Sequence, residues 1–280
     1  MYKALDMGSL FIDLPLLEGV ALAARHGYQG VTMSFEGVRA AGVDAVRAAM
    51  ERHNVVNAGM GLPWNYMEDE GWYDDTLVKL RGQIKMARAV GCTRMNTGVM
   101  SASDVPYDER YDRVVRRLRP LARMLQDEGI MMGMEFLGPT HIYKSRKYPF
   151  IRTLPELMRL ADSIGAWSCG VLLDAYHCHT AGHAMDIVDT ITANRISLVH
   201  INDAAPGIPY DELPDSPRML PGETGVVDAK GLLRRLFHMG YEGPVLVEPF
   251  YEKFKAIADA DEKASMAKAA MDSVWPASGS

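Results

Sequence analysis

GIMMGMEFLGP, residues 129–139, reads as a buried β-strand until Glu135 interrupts it. An ionised carboxylate in apolar surroundings is costly unless something pairs with it, so its place at the end of an apolar run is a signal. The pattern recurs. CGVLLDAYH, from residue 169, delivers Asp174; SLVHINDA, from 197, carries His200; GPVLVEPF, from 243, delivers Glu248.

Working outward from these runs, the spacing predicts eight strands. They are YKALDMGS from residue 2, GVTMSF from 30, NVVNAGMGL from 54, CTRMNTGVM from 92, IMMGMEFLG from 130, CGVLLDAYH from 169, ISLVHINDA from 196 and GPVLVEPF from 243. Amphipathic stretches lie between them, among them LPLLEGVALAARHG, DDTLVKLRGQIKMARAVG, YDRVVRRLRPLARMLQDEG and AKGLLRRLFHMG. Several end on a glycine suited to a left-handed helix cap. Strands alternating with helices predict a parallel sheet with crossover helices.

Eight such units match the size of an α/β (β/α)8 TIM barrel, and no Pro/Gly/Ser linker divides them. A single barrel domain over residues 1–280 follows, with 273–280 expected as a loose tail. An open doubly wound sheet is the competing architecture, but the G-x-G-x-x-G turn of a dinucleotide site is missing after the first run.

Composition narrows the partners. The 280 residues are 48% hydrophobic and 24% charged, with a formal net charge of -6 and a pI near 5.8, which disfavours nucleic acid. No apolar run approaches the roughly 20 residues needed to cross a bilayer, and the first residues lack a signal peptide's pattern, so a soluble cytoplasmic protein with no membrane partner is expected. Cys92, Cys169 and Cys178 lack paired spacing and read as reduced thiols.

Barrel enzymes build their sites at the C-terminal strand ends. There, Glu135, Asp174, His200 and Glu248 would converge from four consecutive strands, and the repulsion among three carboxylates calls for a cation. Three oxygens and one nitrogen suit a single divalent ion, Mn2+ first, with Mg2+ or Co2+ as alternatives. Taken singly, each residue also has a plain structural role open to it, as an ion pair, a turn cap or a hydrogen-bonded core histidine.

The motifs MEFLGP, LLDAYH, VHINDA, RMLPGE and VLVEPF resemble the sugar isomerase and epimerase group with the xylose-isomerase-like barrel, which includes ketose 3-epimerases, inosose dehydratases and, more distantly, endonuclease IV. The resemblance is strongest from residue 130 to 250. It implies a divalent metal held by Glu, Asp, His and Glu, at positions matching Glu135, Asp174, His200 and Glu248, and a small-molecule sugar or glycoside as substrate.

A divalent ion chelating a carbonyl and its neighbouring hydroxyl stabilises an enediolate, with Glu135 and Glu248 as the acid–base pair. Isomerisation or epimerisation of a keto-sugar is the parent outcome. A lyase using the same enolate for β-elimination is the alternative, releasing an aglycone from a 3-oxo-glucoside or C-glycoside or dehydrating an inosose. An endonuclease IV-like phosphodiesterase is a remote third reading.

Around this core, the resemblance implies substrate contacts from His177, three residues after Asp174, and from Arg218 in DSPRMLPGETG. Glu223 is read as ordering that loop. Trp64 in GLPWNY is a candidate to stack on a sugar face, with core packing or a subunit contact equally open. His141, in the basic and aromatic stretch GPTHIYKSRKYPF, is a candidate general acid or base. Lys144, Arg146 and Lys147 in the same stretch suit an anionic substrate or a subunit contact; this loop resembles those of sugar-isomerase-like subunits that cleave 3-oxo-glycosides. A homo-oligomer is expected, with a second small subunit possible.

Overall fold

The computed structural model describes the chain except for residues 63–65, 67–69 and 278–280. Eight parallel strands close into a barrel: β1 (Tyr2–Leu5), β2 (Gly30–Met33), β3 (Val56–Gly61), β4 (Arg94–Val99), β5 (Met131–Phe136), β6 (Cys169–Asp174), β7 (Ile196–Ile201) and β8 (Pro244–Val247). Each lies inside one of the eight apolar runs. Each pairs with its neighbours in sequence, and Tyr2 aligned with Pro244 closes the ring between β1 and β8. The runs are continuous rather than alternating because helices cover the outer faces while side chains fill the axis.

Two apolar layers result. The larger lies between strands and helices, where Val20, Val31, Leu80, Leu118, Met132, Leu160 and Leu233 are fully buried. The smaller fills the barrel axis, with Ala4 and Ala58 facing Leu172, Leu198 and Leu246. Alanines opposite leucines fit a closed barrel too narrow for large groups all round.

Register then sets the site. Asp174 is aligned with His200, and His200 with Leu246. Strand alternation returns every second residue to the same face, so Asp174, His200 and Glu248 each stand two residues beyond an axial leucine. A polar layer thereby caps the leucine layer at the C-terminal mouth. The same logic brings Glu135, aligned with Gly98 of β4, to that mouth from β5.

Helix ends follow the sequence signals. The helix Tyr107–Asp127 stops where Gly129 takes φ 67° and turns the chain into β5, and Ala229–His238 stops before Gly240 at φ 78°. Two features were not anticipated. Ala102–Ser103 pairs antiparallel with Tyr148–Pro149, tying the loop after β4 to the long loop after β5. Also, the first two residues of the expected loose tail, 273 and 274, close the helix Ala260–Val274, and residues 278–280 of it lie outside the described residues. This helix buries Ala264, Ala267, Met271 and Val274 on one face, and Trp275 lies 4.6 Å from the Lys3 ammonium. No helix among the described residues is long and apolar enough to cross a membrane.

Candidate metal centre

Local chemistry fixes each side chain at the mouth. Asp174 caps the short helix Ala175–Thr180, with Oδ1 accepting from the backbone N–H of Tyr176 at 2.6 Å and from Asn202 Nδ2 at 3.1 Å. That leaves Oδ2 turned toward the cluster. Fully buried Asp203 gathers four backbone N–H groups, those of Ala204, Thr224, Gly225 and Val227, at 2.7–2.9 Å. Its backbone also exchanges two 2.9 Å hydrogen bonds with Met219, which folds the loop after β7 back over the barrel and delivers Arg218. Glu223 orders the same loop, accepting from the Leu220 N–H and the Tyr251 hydroxyl.

The four candidate ligands come together. His200 Nδ1 lies 3.3 Å from Glu248 Oε2, 3.5 Å from Glu135 Oε1 and 3.8 Å from Asp174 Oδ2. One donor atom from each of the four residues falls within 4.8 Å of all the others. An ion with bonds of about 2.0–2.2 Å holds its ligands at about 3–4.4 Å from one another, so the three separations from His200 fit, while the 4.8 Å bound on the set lies a few tenths of an ångström beyond that range. Glu135 Oε1 and His200 Nδ1 are buried and lack any hydrogen-bond partner. Buried polar atoms without partners are rare, and an ion shared between this oxygen and this nitrogen would satisfy both.

Arg218 was expected to reach a substrate, but it stands among the ligands instead. It is 1% exposed, and its Nη1 donates to Asp174 Oδ2 at 2.8 Å and to Glu248 Oε2 at 2.9 Å. Its Nε and Nη2 donate to the Asp215 carbonyl and carboxylate, and Nη2 lies 3.4 Å from His177 Nε2. Four of the five guanidinium N–H groups thus have protein oxygen acceptors, and the fifth faces the His177 ring. His177 is likewise enclosed at 2% exposure, with Nδ1 accepting from the Gly138 N–H at 3.3 Å. The helical turn begun by Asp174 points it back into the protein.

The charges perturb one another in the metal-free protein. Burial opposes ionisation of Asp174, but the Arg218 guanidinium, with His177 and His200, outweighs it and holds the carboxyl well below its usual range. Burial also works to lower His200; the Glu248 and Glu135 carboxylates beside it prevail and hold the imidazole well above its ordinary value. Glu248 is pushed up to about 7, chiefly by burial. His177 is lowered by burial.

A cavity of about 460 Å³ opens beside His200, over the β1–β4 half of the mouth. Asp6, Thr32 and Asn96 supply polar groups to it, above Leu172 and Leu198. Asp6 accepts from the Gly8 N–H, Ser9 and Thr32, so its carboxylate is fixed in place. These residues escaped the sequence reading, although Asp6 closes the first apolar run just as Glu135 closes the fifth.

Two further candidates fall elsewhere. His141 is exposed, with no hydrogen bond or ion pair to any described residue, because Arg152 pins its loop through the Gly138 carbonyl, the Thr140 hydroxyl and the Thr180 carbonyl. The sequence makes it a candidate general acid or base; it is not among the four clustered donors and does not line the cavity beside His200. Trp64 lies outside the described residues.

The family model described as xylose isomerase-like TIM barrel matches residues 20–273. An inosose isomerase of Halalkalibacterium halodurans is 22% identical over 201 residues, spanning 71% of this chain and 68% of that protein. A D-psicose 3-epimerase of Enterocloster bolteae is 26% identical over 138 residues, spanning 49% and 40%. Among solved structures, a xylose isomerase domain protein from Alicyclobacillus acidocaldarius superposes with a TM-score of 0.87 at 28% identity, covering 98% of each chain.

Proposed function

The chain belongs to the xylose isomerase-like TIM barrel family, and we propose that it isomerises or epimerises a small keto-sugar or keto-cyclitol with one divalent ion, Mn2+ first, held by Glu135, Asp174, His200 and Glu248. The observation that carries this reading is the pair of orphaned buried atoms, Glu135 Oε1 and His200 Nδ1, meeting two more carboxylates beside a cavity of sugar size. When bound, the ion supplies Lewis-acid polarisation of the substrate carbonyl.

The protein's own groups divide the remaining work. Asp174 is closed to solvent and committed on Oδ1, so it holds position. Glu135 and Glu248 keep 17% and 14% of their side chains open, which leaves these two to meet a substrate proton. One removes it from the carbon next to the carbonyl, and the other returns a proton to the opposite face or to the adjacent carbon. Arg218 acts as a positioning residue, fixing Asp174 and Glu248 through its fork. Asp6, Thr32 and Asn96, which line the cavity with His200, orient the hydroxyls of the substrate.

The glycoside-cleaving branch of the lyase reading rests on a resemblance in the loop that carries His141, and the exposed setting of that histidine gives it no support; the dehydration branch would use the same metal site. The phosphodiesterase reading needs several metals, whereas one donor cluster is found among the described residues.

The test is hydrogen exchange. Incubated in D2O with Mn2+ and a panel of ketoses and inososes, the protein should place deuterium on the carbon next to the carbonyl of its substrate. Glu135→Gln should slow this by about 10²–10⁴-fold while the ion stays bound. Exchange by neither wild type nor variant across the panel, in protein shown to hold Mn2+, would remove the proposal; an unsaturated or deglycosylated product would replace it with the lyase.

A further inference from the structure

A second cavity, of about 320 Å³, lies outside the carboxylate cluster, between the loop that follows β4 and the start of the helix Tyr107–Asp127. Three arginines line it. Arg110 and Arg113 are three residues apart on that helix and so share a face, while Arg146 arrives from the loop after β5. Among the described residues its lining includes one carboxylate, Asp104, which is already paired with Arg146.

The other two guanidiniums are poorly satisfied. Arg110 Nη1 has a long 3.4 Å contact with the Ser103 hydroxyl, and its guanidinium lies 4.9 Å from the centre of the Phe150 ring. The Nε atoms of Arg110 and Arg113 are buried with no hydrogen-bond partner. Burial holds Arg110 below its usual range; the Tyr66 hydroxyl opposes this, and the Arg146 and Arg113 charges add to it. Three guanidiniums around the one carboxylate found among the described lining residues repel one another, and an anion joining them would offset that cost.

We propose that this cavity binds a small phosphate or phosphomonoester, with Arg110 and Arg113 donating to its oxygens beside Arg146. Guanidiniums match phosphate oxygens as bidentate forks, and three of them offer more donors than the two oxygens of one carboxylate accept. The volume lies at the small end of ligand pockets and leaves room for a compact organic group beyond the phosphoryl. Phe150, beneath Arg110, and the paired segments Ala102–Ser103 and Tyr148–Pro149 fix the walls. None of the candidate metal ligands lines this cavity, so it stands or falls apart from the proposed reaction.

The test is calorimetric titration of the metal-free full chain with inorganic phosphate at low ionic strength. Saturable binding of one phosphate per chain is expected, weakened at least about tenfold by Arg110→Gln or Arg113→Gln. Asp104→Asn, which frees Arg146, should tighten it, a gain that a folding defect does not mimic. A hexose phosphate binding more tightly than inorganic phosphate would place its sugar in the cavity, and equal affinities would confine the site to the phosphoryl group. Acetate binding as tightly as phosphate, no saturation at millimolar phosphate, or unchanged affinity in the Arg110→Gln and Arg113→Gln variants would overturn the proposal.

Discussion

Replacing Arg218 with Met removes the one guanidinium that touches both Asp174 and Glu248 while keeping much of the side chain's volume. Asp174 is 0% exposed and loses its 2.8 Å partner; Glu248 loses its 2.9 Å partner. Breaking a buried ion pair from one side costs about 3–5 kcal/mol, because the remaining charge stays buried. Asp174 dominates this cost. Glu248 is partly open and already raised toward the protonated form by burial, so it sheds its charge more readily. At roughly 2–4 °C per kcal/mol for chains of this order, metal-free Arg218→Met should melt on the order of 10 °C below wild type. Mn2+ should raise the melting temperature of the variant more than that of wild type, since the ion supplies the missing positive charge. Arg218→Lys should fall between, keeping the charge but losing the fork. Differential scanning calorimetry with and without Mn2+ reads all three. A metal-free Arg218→Met within 2 °C of wild type, or a smaller Mn2+ effect in the variant, would refute the reasoning.

Three further outcomes are expected. His141→Ala should leave substrate deuterium exchange within about threefold of wild type, because the side chain is exposed and unconnected; a drop of about a hundredfold would return the histidine to the site. Metal binding should release protons near pH 7, because in the metal-free protein His200 is held well above its ordinary value and so carries a proton, and Glu248, pushed up to about 7, is about half protonated there. Calorimetry in buffers of different ionisation enthalpy should show that release shrinking, and affinity growing, as pH rises; identical heats in all buffers would contradict it. The three thiols are buried, and burial pushes Cys92 up to about 11 and Cys169 up to about 12, so Ellman's reagent should leave them largely unmodified until the chain is unfolded.

The barrel was legible because each parallel strand, enclosed on both faces, is a short continuous apolar run, and all eight runs contain the observed strands. The four candidate ligands were legible for a related reason. A charged residue at the end of such a run has few places to go other than the mouth. Arg218 was harder, since its position depends on a loop of more than a dozen residues gathered by Asp203, whose four backbone partners leave no sequence pattern. His177 keeps the expected spacing from Asp174, yet the helical turn between them decides its direction, and that turn shuts it inside. His141 failed for want of the Arg152 anchor, which joins three distant segments. Asp6 was within reach, because the strand-end argument applied to YKALD picks it out.

Metal analysis tests the centre most directly. The protein, incubated with Mn2+ and desalted, should retain one ion per chain by inductively coupled plasma mass spectrometry, and the Asp174→Ala/His200→Ala double variant should retain none while keeping its circular dichroism spectrum. An ion bound equally by both proteins, or by neither, would contradict the assignment of these residues.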